Sequence, residues 1–132
     1  MSDDRILLPE DIRRAILAHA EACAPDECCG LIASDSDARI RFAYPLTNAR
    51  PSSTSYTVDP DEHFQAFRHA ENMGWSLSGV FHSHPHGAAV PSDVDVRNAL
   101  EPEWLYLITD LEQLRGFRIR DAAVTELELL RS

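Results

Sequence analysis

Basic residues are scarce in this chain. Twelve basic residues, all arginine, stand against 22 acidic residues, a formal net charge of −10. Such a surface repels phosphate backbones and anionic lipid, which excludes nucleic acid and membranes as expected partners. A small group of cations, Arg115, Arg118 and Arg120, does not reverse that sign, although it offers a place to meet an acidic protein. Cysteine is equally sparse. Cys23, Cys28 and Cys29 form an odd set with an adjacent pair, unlike the disulfide framework of a secreted domain. No long apolar run occurs, and the opening residues MSDDRILLPEDI carry acids where a signal peptide carries cations. Repeats and low-complexity tracts are missing too. The expectation is a soluble, cytoplasmic protein.

What remains is a chain of 132 residues, 44% hydrophobic. That suffices for one domain over residues 1–132 with its own core, and not comfortably for two. A first helix is expected from Pro9 to Cys23, with Glu10 and Asp11 in its first turn and Ile12, Ile16, Ala20 and Cys23 on one face. Strands are expected at Cys28 to Ala33, Arg39 to Pro45, Tyr56 to Val58, Trp75 to Phe81, Trp104 to Thr109, Gly116 to Arg120 and Val124 to Leu130. Asp59-Pro60 opens a second helix whose inner face is read as Phe64, Phe67 and Ala70, with Met73 near its edge and Gly74 as its stop. A third helix runs from Ser92 to Leu100. Interleaved helices and strands make the class α/β or mixed α+β.

The chemistry concentrates in HSHPHGAAVPSDVD. His82 and His84 are two apart in extended backbone, so both imidazoles point the same way. A bare H-x-H pair is also what two surface histidines beside a turn look like. Ser92 and Asp95 form a capping box for the third helix, and the same spacing puts Asp95 where it can serve as a third metal ligand. Asp93 is the rival carboxylate, roughly 100° further round the helix. Glu27, at the mouth of the apolar strand, is either a solvated turn residue or the base that a metal-activated water needs.

Together these pieces resemble the JAMM, or MPN-plus, metalloprotease family. Its pattern is an upstream glutamate, then H-[S/T]-H-P, six residues, and S-x-x-D. Here that is Glu27, His82-Ser83-His84-Pro85, the six residues His86 to Pro91, and Ser92-Asp93-Val94-Asp95. The segment from Pro25 to Leu31 is similar to the family's P-x-E-x-C-G-L. The resemblance implies a curved, partly barrel-like mixed sheet flanked by helices, similar to the cytidine deaminase architecture. It implies one Zn2+ held by His82, His84 and Asp95, with Glu27 as general base and then acid toward the amine. Ser92 would steady the oxyanion. Cys29 matches the family's buried cysteine, and Cys28, its neighbour, should face the other way. Asn48 would lie in a loop bordering the substrate channel, with Pro51 to Ser55 as a flexible wall.

The chain resembles the small stand-alone bacterial members. For those the implied reaction is removal of a C-terminal residue or extension after the Gly-Gly of a ubiquitin-like sulfur-carrier protein. A deubiquitinase-like isopeptidase and a non-catalytic MPN scaffold with a zinc site are the alternatives within the family. A RadC-like DNA-associated protein shares His-x-His-Pro but not the acidity or the context of Glu27. A cupin would place a glutamate soon after the second histidine, where Pro85, His86 and Gly87 stand.

Overall fold

Seven strands and three helices account for most of residues 4–131, the part of the chain that the computed structural model describes. In chain order they are β1 (Arg5–Leu8), α1 (Glu10–Cys23), β2 (Cys29–Ser34), β3 (Ile40–Leu46), α2 (Pro60–Asn72), β4 (Ser76–Ser83), α3 (Asp93–Asn98), β5 (Leu105–Thr109), β6 (Leu114–Arg120) and β7 (Ala123–Arg131). The strands form one sheet in the order β1-β7-β6-β5-β4-β2-β3. Two of its pairings, β1 with β7 and β4 with β5, are parallel, and the rest are antiparallel.

The alternation of side chains along each strand gives the sheet two apolar faces. On one, Ile12, Ile16 and Ala20 of α1 pack with Leu8, Cys28, Ile40, Phe81, Leu107 and Leu127. Both end strands, β1 and β3, reach this cluster, so the sheet curls around α1 into a half-barrel. The other face, covered by α2, carries Cys29, Leu31, Val80, Tyr106 and Ile108. The adjacent Cys28 and Cys29 therefore do face opposite ways, both buried as thiols. Among the described residues no helix is long and apolar enough to cross a membrane.

Three details depart from the expectations. β1 was not anticipated, and Tyr56 to Val58 contributes only an isolated bridge between Asn48 and Val58. Ala70 faces inward from α2 as expected, but its companion there is Ala66, whereas Phe64, Phe67 and Met73 are exposed. Two alanines four residues apart let the helix lie close to the sheet, and a phenylalanine stripe would hold it off. Within the chain, Arg115 pairs with Glu126 and Arg120 with Glu103, and Arg118 is not free either.

Candidate metal centre

Strand register builds the site. β2 and β4 are antiparallel neighbours with Cys29 opposite His82. Continued two residues past the ladder, that register sets Glu27 against His84, although the two are far apart in sequence. Ser83 seals the junction: its Oγ accepts from the Cys28 N–H at 2.7 Å, and its own N–H reaches the Cys28 carbonyl at 3.3 Å. Ser83 is fully buried, so the middle residue of the His-Ser-His run is structural. On the other side of β4, His84 N–H donates to the Thr109 carbonyl at 2.8 Å, tying the segment to the end of β5.

The third contributor comes from α3. Ser92 is its N-cap, with Oγ accepting from Asp95 N–H at 3.1 Å, while Asp95 Oδ2 accepts from Ser92 N–H at 2.9 Å. The capping box and the ligand geometry are thus the same structure. It aims the Asp95 carboxylate at the histidines and leaves Asp93 exposed to solvent.

Three atoms converge. His82 Nε2 and His84 Nε2 are 3.1 Å apart, and Asp95 Oδ2 lies 3.2 Å from the first and 3.1 Å from the second. Zinc–ligand bonds of about 2.0–2.1 Å in a tetrahedron give ligand–ligand separations of roughly 3.3–3.4 Å, close to these edges. The donor chemistry fits as well. His84 Nδ1 lies 2.8 Å from the Ala88 carbonyl, which can only accept, so Nδ1 carries the proton and, in the neutral ring, the Nε2 lone pair points inward. That lone pair and the Asp95 carboxylate repel each other unless a proton or a cation lies between them. Burial opposes ionisation of Asp95, but hydrogen bonds from His82 and His84 outweigh it and hold the carboxyl well below the usual range. The histidines and carboxylate therefore suit a divalent cation.

Glu27 faces the same point. One of its carboxylate oxygens lies within 4.8 Å of a ring nitrogen of each histidine, and it receives no hydrogen bond among the described residues. The residue is 5% exposed. Burial pushes its pKa up to about 7, an effect partly offset by His84 and reinforced by Asp95. Glu27, His82, Ser92, Asp95, Tyr56 and Tyr106 line a cavity of about 410 Å3.

Thus all five residues singled out from the sequence, Glu27, His82, His84, Ser92 and Asp95, are brought together. His86 is exposed and outside the cavity wall. Asn48 is buried behind Glu27, and Thr54 and Ser55 form part of the wall. Tyr56 was missed as a site residue. Its ring packs on the His82 imidazole at 4.9 Å between centroids and 32° between planes, a contact across a loop that leaves no local spacing signal.

Residues 9–121 match a family described as prokaryotic homologs of the JAB domain. A desampylase of Haloferax volcanii is 39% identical over 114 residues, 82% of this chain and 82% of the relative. A CysO-cysteine peptidase of Mycobacterium tuberculosis is 35% identical over 127 residues, 92% of this chain and 87% of the relative. A solution structure from Desulfitobacterium hafniense is 35% identical, with a TM-score of 0.85, and covers 96% of this chain and 92% of that one. The matched region contains both strand ends, the capped helix and the cavity they enclose, and the chain belongs to the prokaryotic JAB/MPN family.

Proposed function

We propose that residues 1–132 act as one zinc-dependent peptidase domain. The reaction is hydrolysis of a peptide or isopeptide bond after the Gly-Gly tail of a ubiquitin-like sulfur carrier. The observation that carries this reading is the convergence of His82, His84 and Asp95 beside the buried Glu27 carboxylate, which receives no hydrogen bond among the described residues. The related desampylase and CysO-cysteine peptidase support the substrate class.

His82, His84 and Asp95 would hold the ion. Bound zinc supplies Lewis acidity, polarising a carbonyl and lowering the pKa of water toward 7. Glu27 accepts the proton of the attacking water and delivers it to the leaving amine. Burial raises its pKa above the ordinary carboxyl value, which favours the protonated form it passes through between the two transfers. The Ser92 hydroxyl accepts from Asp95 N–H, which leaves its own proton available to the carbonyl oxygen of the substrate as negative charge develops there. Glycines at the tail allow its backbone to approach the site closely. Three free cysteines, two of them buried, suit a reducing compartment, and we place the enzyme in the cytoplasm.

The test is incubation with a Gly-Gly carrier bearing a C-terminal extension, followed by intact mass. The zinc-loaded protein should release the extension. Glu27→Gln should retain one zinc per chain and lose about 10²–10⁴-fold in rate. Equal rates in parent and variant would remove Glu27 from the mechanism, and no cleavage by the loaded parent would favour a non-catalytic zinc scaffold.

A further inference from the structure

Asn48 is 7% exposed, and every hydrogen-bonding position of its amide is occupied. Nδ2 donates to the carbonyls of Glu27 at 3.1 Å and Ser55 at 3.0 Å. Oδ1 accepts from Arg50 N–H at 3.2 Å and Thr57 N–H at 3.0 Å. Two carbonyls on one side and two N–H groups on the other fix the orientation of the amide. No other side chain of this length presents two donors and two acceptors. Aspartate would turn a carboxylate oxygen, which can only accept, toward two carbonyls.

The partners are informative. One is the peptide of the residue read above as the base. The others belong to the loop of residues 49–57, whose Thr54, Ser55 and Tyr56 line the cavity. That loop is also joined to Glu27 directly, through Glu27 N–H to the Ser52 carbonyl at 2.7 Å, and closes on itself through Ala49 N–H to the Thr57 carbonyl at 2.8 Å. From the other side, Glu62 of α2 grips Thr47 with both carboxylate oxygens, at 2.7 and 2.9 Å. The backbone entering Asn48 is therefore anchored, and the amide distributes that anchorage to Glu27 and to the wall. The segment expected to be a flexible wall is tethered at its base.

We propose that Asn48 is a positioning residue that places Glu27 and the Ser55–Tyr56 wall relative to one another. The reading rests on the proposed role of Glu27. A residue that holds the base affects kcat, and one that holds the wall affects KM, so Asn48 affects both. Misplacement of a reacting group by an ångström costs about 100-fold, which sets the expected loss.

Asn48→Asp is the test, because it keeps the shape and the Oδ1 acceptor and removes both donors. Expected are one zinc per chain, kcat/KM lower by about 100-fold with kcat reduced and KM raised, and a specific hydrogen-exchange pattern. The Glu27 amide should lose at least about tenfold in protection, while those of Arg50, Thr57 and the central strands β2 and β4 keep theirs. Unchanged turnover, or exchange that rises equally in β2 and β4, would overturn the proposal in favour of a generic structural role. Should Asn48→Asp fail to fold, Asn48→Ser carries the same test, with Arg50 and Thr57 also losing protection. If the parent cleaves no Gly-Gly carrier, the peptidase reading fails, and the exchange pattern still decides whether Asn48 couples Glu27 to the loop.

Discussion

His82 and His84 aim at one point but are held by different means. His84 is fixed at both ring nitrogens, with Nδ1–H on the Ala88 carbonyl. The Nδ1 of His82 is buried and makes no hydrogen bond among the described residues, so its orientation depends on packing, chiefly against the ring of Tyr56. Outer partners of metal-binding histidines typically contribute 10–100-fold in affinity. Tyr56→Ala should therefore weaken zinc binding by about 10–100-fold, and Tyr56→Phe should leave it unchanged, as measured by competition with a chelator. Parent-like affinity in the alanine variant would mean that the ring does not orient His82. These two histidines and the capping box were legible from spacing alone, although each also had an ordinary structural reading. The preference for Asp95 over Asp93 needed the combined motif, and α3 supplies its physical reason: a capping box turns its third residue back over the N-terminus. Tyr56 and the sealing role of Ser83 were not legible, because both act through contacts between segments distant in sequence.

Among the elements, α2 shows how a correct boundary can carry an incorrect face. Its start at Asp59-Pro60 follows from an aspartate cap and a proline in the first turn. By periodicity Phe64 and Phe67 extend an apolar stripe from Ala70 as well as Ala66 does, and what selects between them is the close approach of the helix to β2, β3 and β4. Phe64 instead lies exposed beneath the Arg68 guanidinium. Ala66→Leu should overpack this contact and cost about 1–3 kcal/mol, whereas Phe64→Gln should change stability by no more than about 0.5 kcal/mol. Urea unfolding of the two variants checks the assignment, and the reverse ranking would restore the original face. Gly30 sets a constraint on the opposite, α1-facing side of the sheet: a Cβ there would overlap the Phe81 ring beside His82. The long apolar strands were readable from composition, above all Leu105–Thr109. β1 was not, since four residues before Pro9 are too few to show a pattern and its place is set by parallel pairing with β7.

At the scale of the molecule, the centre sits where the ends of β2, β4 and β5 meet the cap of α3 and the loop behind Asn48. Without an ion, the buried Glu27 carboxyl favours its bound proton, and the consequence can be measured in the metal-free protein. The ordinary carboxyl value of Glu27 is 4.5, and in the folded protein burial pushes it up to about 7. The folded state then binds the proton more tightly than the unfolded chain. The resulting stability is fully present below 4.5, declines as pH rises from 4.5 through about 7, and is gone above that. The melting temperature of the metal-free parent should accordingly fall more between about pH 5 and pH 8 than that of Glu27→Gln, which has no such proton to lose. A neighbouring divalent cation favours the carboxylate and reduces the difference between the two proteins. Equal slopes for the metal-free parent and Glu27→Gln would mean that Glu27 titrates near its ordinary value and that its burial does not tune it for proton transfer.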